Sequence, residues 1–565
     1  MQQIEPCHFS SFQVLNSNST GNRSQGTEVS FQTYAEKFFT LESTPATDYN
    51  SPSAINVLPN WSPFSICSIY LHAPMGLFYS LLRACEGIIG INWGRQTYQR
   101  LIPANVVDLL LQNGIQEARI FTAADNVMAA FSGSGIGLSI SLSNFVLHMI
   151  NSSTAAEEWI QKSVIKFRSQ NVDIRYVNVG AEPLSTSFTN KTYDNVIDVL
   201  KLIQTALNDA GYGDLVKATI PHYTDVVKHR SMKPSDAYFR DDIKDKMVDY
   251  LRFLKENNAP AAVDIYPIHY CNENDLDPDF AFFDHKSKFY VLDDNGLNYT
   301  NAFDFLYDSF YWAMKKAGVP DLRLVVGQIG WPTDGYPNAN TKNAQRFYKD
   351  LLPYVAGNKG TPMRPRRPID VYLHSISDEN RLGLWYGGFQ RHWGIYTFDG
   401  QPKYKIDFSG KGRDIFPTTA KGITRMPKRW CIFNGDLSDV EMVKRELNRA
   451  CLESDCSSLA PGGSCSHLDF NQNVSYAFNR FFQMKQQKTH EEACSFQGLS
   501  QVVPDDPSTG TCIFPIEILA AETADQSKSF LGINGDGSHR VSILAMLLPL
   551  ISVFLITTHI KSYTL

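Results

Sequence analysis

The sequence predicts an α/β protein: a (β/α)8 barrel followed by a small, mainly helical, disulfide-rich module. Three observations carry that prediction. From Gly87 to about Gly410, short apolar β-type runs alternate with longer amphipathic segments, eight such runs in order, which is how a parallel sheet closed by helices reads. No Gly-rich phosphate loop opens a helix to favour an open, doubly wound sheet; "GSGIG" at Gly133–Gly137 closes a helix instead. Finally, six of the ten cysteines (Cys431, Cys451, Cys456, Cys465, Cys494 and Cys512) crowd the C-terminal part. Without CxxC or CxxH spacing they read as a disulfide framework formed in an oxidising compartment, with the pairing left open among 15 connectivities.

The strands are expected at Ile88–Asn92, Glu117–Phe121, Gly137–Leu142 and Asp173–Val179, then Val216–Ile220, Ala262–Tyr266, Leu322–Gln328 and Asp370–Ile376. Each is a short β-type run of a length that suits a buried parallel strand. Between the first two, "PANVVDLLLQNG" places Pro103 at a helix start and Gly114 at its stop. Residues 1–86 are Ser/Thr/Asn-rich without a sustained period and are expected to be disordered or a mispredicted N-terminal extension. Residues 411–428, basic and Pro/Thr-containing, read as a linker; 429–515 as the Cys-rich module; 516–540 as a polar spacer. Residues 541–560, "VSILAMLLPLISVFLITTHI", are apolar enough to enter a bilayer. Small residues, a spacer and a terminal apolar tail fit a GPI-attachment signal, the rival being a tail-end transmembrane helix.

Composition excludes several classes. A chain of 565 residues requires more than one domain, and 43% hydrophobic residues supply a large core. A net charge of −6 argues against a nucleic-acid partner. The 13 histidines lack ligand spacing, so no metal is expected, nor any cofactor. The chain is expected to be a monomer. Asn151, Asn190, Asn298 and Asn473 each begin Asn-x-Ser/Thr, in keeping with secretion.

Barrel chemistry sits at the C-terminal ends of strands. Glu182 follows the fourth strand in "VNVGAEPL", and Gln328 ends the seventh in "VVGQIGWP". Tyr266, Trp331, Phe389 and Trp393, and more weakly Phe121, fall at or after strand ends, where a ligand cleft would run. Tyr476, Phe478, Phe481 and Phe482 have helical spacing and read as module core. Cys271 reads as a buried thiol, and Trp385–Tyr386 as a loop feature.

"IGINWGR", "YVNVGAEPL", "DIYPIHY", "VVGQIGWPTDG", "IDVYLHSISDEN" and "RHWGIYTFDGQPKY", in that order, resemble the plant glycoside hydrolase family 17 β-1,3-glucanases over roughly Gly87–Gly410. The stretch "WCIF…ACLESDCSSLAPGGSCSHLDF…ACSF…GTCIFP" resembles the X8 module, a family 43 carbohydrate-binding domain. The resemblance implies retaining hydrolysis of β-1,3-glucan, with Glu182 as acid/base, position 328 as nucleophile and Glu379 in support. It also implies a GPI-anchored glycoprotein at the outer plasma membrane or cell wall. The departures bear on activity. The family's Val-Gly-Asn-Glu is Val179-Gly180-Ala181-Glu182; the nucleophile Glu is Gln328; the Glu before Arg-His-Trp-Gly is Gln390; the Asp-Glu-Asn trio is kept as Asp378, Glu379 and Asn380. An amide can neither form the glycosyl ester nor supply charge to the oxocarbenium-like transition state. The expectation is a glucan-binding, catalytically impaired member; the alternatives are an active endo-1,3-β-glucanase and a structural wall glycoprotein.

Overall fold

The structure, a computed structural model, describes residues 87–188, 193–293, 295–487 and 493–519. The N-terminal extension, the sequon at Asn190 and the apolar tail at 541–560 lie outside them. Eight barrel strands run in parallel: β1 Ile89–Trp93, β2 Glu117–Ile120, β3 Gly137–Leu142, β4 Ile174–Val179, β5, β6 Ala261–Asp264, β7 Leu324–Ile329 and β8 Asp370–Leu373. β1 pairs with both β2 and β8.

The ring closes through β5, which comes in two stretches. Lys217–Thr219 pairs with β4, and Pro221–Tyr223 pairs with β6. The change of partner falls at Pro221, which has no N–H to offer a ladder. The sequence expectation, Val216–Ile220, covers the first stretch and stops before the second. β6 stops at Asp264, two residues short of the sequence expectation. Pro267 is pre-set for a first helical turn, so Tyr266 becomes the N-cap of a short helix, Pro267–Glu273.

Helices pack outside the ring as the amphipathic segments require: α1 Pro103–Gln112, α2 Asp125–Phe131, α3 Ser153–Ile160, α4 Val196–Asp209 and α5 Lys244–Glu256 precede that short helix, α6. Then come α7 Ala302–Lys316 and α8 Thr341–Ala356. Pro103 does open α1, and Gly114 follows its end with φ 71°, a conformation cheap for glycine. Asn301 and Asn340 cap α7 and α8 by accepting the N–H groups of Asp304 (2.8 Å) and Asn343 (2.9 Å). The core between strands and helices is one apolar cluster, including Ile91, Ile120, Ile140, Val177, Val263, Val326 and Val371. Cys271 is buried and free, and burial pushes its thiol up to about 12.

The module has a two-stranded ribbon, Trp430–Phe433 against Ser500–Val503, and two helices, α9 Val440–Glu453 and α10 Phe470–Met484. Its cysteines pair as Cys431–Cys494, Cys451–Cys456 and Cys465–Cys512. Tyr476, Phe478, Phe481 and Phe482 are all buried, and Phe478 stacks on Phe496 with ring centroids 3.6 Å apart.

The segment read as a linker is bonded down along the barrel. Thr418 N–H donates to Asn113 Oδ1 (2.9 Å), Tyr396 OH donates to the Thr418 carbonyl (3.0 Å), and Arg425 pairs with Asp399 (2.9 Å). Within the stretch read as a spacer, Glu517 and Ile518 are buried. A chain of polar contacts then crosses between barrel and module. Asn380 Nδ2 donates to Glu517 Oε1 (3.3 Å), Glu517 pairs with Arg480 (3.3 Å), Arg480 with Asp455 (3.6 Å), and Asp455 with Arg391 (2.9 Å). Beside it, Ser464 donates its N–H (2.6 Å) and hydroxyl (2.7 Å) to Asp334, and His392 meets Ser457 at 2.8 Å.

Candidate active site

The strand ends bring Glu182, Asp264 and Gln328 together. Glu182 leaves β4 on a left-handed turn, with φ 50°. A non-glycine residue held there stores strain of roughly 1 kcal/mol or more. The turn is fixed from two sides. The Asn144 amide donates to the Ala181 carbonyl (2.8 Å) and accepts its N–H (2.9 Å). The Glu182 N–H donates to the Pro221 carbonyl on β5 (3.1 Å).

Asp264 ends β6 and is paired in register with Gln328 of β7. It is fully buried, and neither carboxylate oxygen closes a hydrogen bond of good geometry. Arg119, inward-facing on β2 and buried, lies 3.8 Å from it and donates to the Gly327 carbonyl (3.3 Å). Position 327 must be glycine, because a Cβ there would fall 2.6 Å from Asp264 Oδ1. Gln328 accepts a hydrogen bond from Tyr266 OH at Oε1 (2.8 Å).

The electrostatics follow from burial. Burial first, then the nearby Asp264 and Asp225 carboxylates, push Glu182 well above the carboxylate range, against the pull of Arg119. Burial raises Asp264 to about 6, offset by Arg119 and by the facing Glu182 and Gln328 side chains. The shift favours the proton-bearing carboxyl, the form a general acid uses.

Around this pair stands an aromatic wall. Tyr266 contacts Trp393 (ring centroids 5.2 Å), Tyr223 (6.0 Å) and His374 (6.2 Å). His269 bridges Phe389 (4.7 Å), Tyr336 (4.8 Å) and Trp393 (5.7 Å). Burial lowers His269 to about 4, and burial with Arg119 lowers His374 to about 3, so both rings are neutral at pH 7. Tyr266 is half-buried beside Gln328, while Phe389 and Trp393 pack behind it, 4% and 3% exposed.

Trp331 does not join them. It is buried against Phe282 (4.5 Å) and Phe347 (5.3 Å), its indole N–H donating to the Asn338 carbonyl (3.1 Å). The Trp-Pro turn after Gln328 sends this ring into the wall between strand and helix. Phe121 lies 5.1 Å from the Arg119 guanidinium. Trp385, a loop residue in the sequence reading, is 85% exposed, and the adjacent Tyr386 phenol lies within the electrostatic reach of Glu182 and Asp225.

Glu379 is buried against the turn after β1, where its Oε1 accepts the Gln96 N–H (2.8 Å) and a Cβ on Gly94 would collide with it. Its trio partners are also in structural use. Asp378 accepts Lys403 Nζ (2.7 Å) and the Gly394 N–H (2.9 Å), and Asn380 accepts the Tyr98 N–H (2.9 Å). Burial, with a smaller push from Asp378, raises Glu379 to about 7 despite the Gln96 N–H. The folded chain then holds a proton that the unfolded chain, near its ordinary 4.5, releases. This group therefore subtracts stability as pH rises from 4.5 through about 7. Glu379→Gln keeps an oxygen for Gln96 and is expected to gain on the parent by roughly 3 kcal/mol across that window. Melting temperatures of both proteins against pH check this; a difference that stays flat with pH would contradict it.

Asn151 and Asn298 are exposed, whereas Asn473 lies in the first turn of α10 and donates its amide to the Leu468 carbonyl (3.5 Å). Asp264 and Arg119 carry no assigned role in the sequence reading. The available signal was a charge set inside an otherwise apolar strand run, "AVDIY" and "EARIF".

Comparison with known proteins places this geometry. The family model described as glycosyl hydrolases family 17 matches residues 89–408, and that of the X8 domain matches 429–501. Glucan endo-1,3-beta-glucosidase 8 of Arabidopsis thaliana is 40% identical over 445 residues, covering 78% of this chain and 91% of the relative. Glucan endo-1,3-beta-glucosidase 5 of the same plant is 41% identical over 457 residues, covering 80% and 92%. Among solved structures, CJP38, a beta-1,3-glucanase and allergen of Cryptomeria japonica pollen, superposes with a TM-score of 0.54 at 31% identity, over 57% of this chain and 99% of that one.

Proposed function

The chain belongs to glycosyl hydrolase family 17, and from that premise we propose that it recognises β-1,3-glucan in the cell wall while lacking the family's double-displacement chemistry. The observation that carries the reading is Gln328. Its neutral amide stands at the strand end where the attacking carboxylate belongs, and Tyr266 engages its oxygen. In a retaining glycosidase two carboxyls about 5–5.5 Å apart flank the bond, one protonating the leaving oxygen and one attacking the anomeric carbon. Glu182 can still protonate. Gln328 offers no charge and no stable ester. The half-buried Tyr266, backed by Trp393, supports continued sugar recognition.

An active endo-1,3-β-glucanase is the second reading, favoured by the retained Glu182, whose carboxyl burial pushes upward. The deciding experiment assays the full-length secreted chain on a soluble β-1,3-glucan, beside Glu182→Gln, with binding to insoluble glucan measured in parallel. Binding without turnover is expected. Turnover that Glu182→Gln abolishes would replace the binding reading with the enzymatic one.

The same proposal puts the protein outside the cell, as a glycoprotein held at the plasma membrane by a GPI anchor. Its support is the fully paired module cysteines, which fit an oxidising compartment, and the exposed sequons at Asn151 and Asn298. Release of the protein from plant membranes by a phosphatidylinositol-specific phospholipase tests the anchor; retention would point to the transmembrane alternative.

Trp385 is proposed as an outlying sugar platform. Truncating so exposed a ring removes little packing, so Trp385→Ala is expected to leave the melting temperature unchanged and to weaken glucan binding about tenfold. Equal affinity of the two proteins in a glucan titration would dismiss the platform.

A further inference from the structure

We infer that Asp264 is the positioning carboxylate of this cleft: it faces Glu182 across β5, and by its place beside Gln328 it makes an amide the fitting side chain at 328. The inference rests on the family reading of the cleft given above. It goes beyond that reading by supplying a reason for the amide.

A fully buried carboxylate with no well-formed hydrogen bond is expensive unless a charge or a donor faces it. Three groups face Asp264. Arg119 supplies positive charge at 3.8 Å, a distance beyond direct hydrogen bonding. Glu182 and Gln328 are the other two. Two ionised carboxylates cannot share such a site, whereas a protonated one meets an ionised one as donor to acceptor. Asp264, beside the cation, is the acceptor; Glu182, at the strained turn and further out, is the donor.

Gln328 completes the set. Its oxygen is occupied by Tyr266 OH, and its Cα is the register partner of Asp264. The amide's remaining end is N–H2, the donor that a neighbouring carboxylate wants. A glutamate at 328 would accept the Tyr266 proton equally well, but it would turn a second oxygen toward Asp264, a like charge beside a like charge. Asp264 is sealed from solvent and touches no sugar, so its role runs through Glu182 and through position 328.

Two measurements on the full-length chain test this. In infrared difference spectra, the protonated-carboxyl band that disappears in Glu182→Gln belongs to Glu182. Its titration midpoint is expected to fall by at least about one pH unit in Asp264→Asn, because the facing charge is gone. An unchanged midpoint would overturn the inference. Turnover of a soluble β-1,3-glucan is then compared in Gln328→Glu and in Asp264→Asn/Gln328→Glu. The double variant is expected to exceed the single by at least tenfold, with a higher melting temperature at pH 7. A single variant as active as the double overturns the inference and keeps the Gln328 account of impairment. Turnover by the unaltered chain rejects the impairment reading alone and leaves Asp264 to be judged on the infrared midpoint and the ratio of the two variants.

Discussion

Asp455→Ala is expected to lower stability by about 3–5 kcal/mol, because it strands buried guanidinium groups on both sides of the barrel–module boundary. Asp455 meets Arg391 of the barrel at 2.9 Å and Arg480 of the module at 3.6 Å, and all three side chains are largely shielded from solvent. Burial alone would raise its pKa; Arg480, His392 and Arg391 together overrule it and hold the carboxyl well below the usual range. A depressed acid stabilises the fold above its unfolded pKa, here near 3.8, and that contribution drains away as pH falls below it. Urea unfolding at pH 7 and below pH 3 therefore checks two things at once. The variant should be much weaker at pH 7, and the gap should narrow in acid. A gap of the same size at both pH values would mean that lost packing, and not lost charge, sets the effect. Limited proteolysis adds a local readout, since loosening this boundary should expose residues 411–428 to cutting.

The second large effect concerns the disulfides, which are not equivalent. Cys431–Cys494 closes a sequence separation of 63 residues, and Cys451–Cys456 one of 5. In the chain-entropy account the long loop constrains the unfolded state by about 4 kcal/mol and the short one by about 2 kcal/mol. The module is too small to rely on apolar burial alone. Replacing Cys431 and Cys494 together by serine should therefore unfold the module at ordinary temperature while the barrel remains folded. Replacing Cys451 and Cys456 should only lower its melting temperature. Calorimetry resolving the two transitions would show it. Equal losses from the two pairs would mean that native packing around the sulfurs, and not loop closure, governs their contribution.

The barrel was legible in the sequence because buried parallel strands leave a strong trace. Runs such as "GLSISL" and "LRLVVGQ" are short and largely apolar, and they recur in order between amphipathic segments. Glu182 and Gln328 were legible for the same reason, as polar residues at the point where such runs stop. Contacts between distant strands were not. Asp264 and Arg119 are separated by 145 positions and meet through closure of the ring, which leaves no local pattern to read. Trp331 and Trp393 are both buried, yet one packs against Phe282 and the other behind Tyr266, a difference that no local pattern in the sequence announces. Glu379, for which the resemblance implies a supporting role, fastens the turn after β1.

The strap at 411–428 carries a consequence for how a polymer would be gripped. Two binding surfaces joined by a slack tether gain avidity through effective concentration, which depends on tether length and tolerates many spacings. Here the Arg391–Asp455 and Asn380–Glu517 contacts set the spacing. On the proposed reading, barrel and module present one rigid footprint, with no linker freedom to lose on binding and none to adapt. Glucan whose repeat matches that footprint would gain from both surfaces at once, and glucan of another pitch would gain from one.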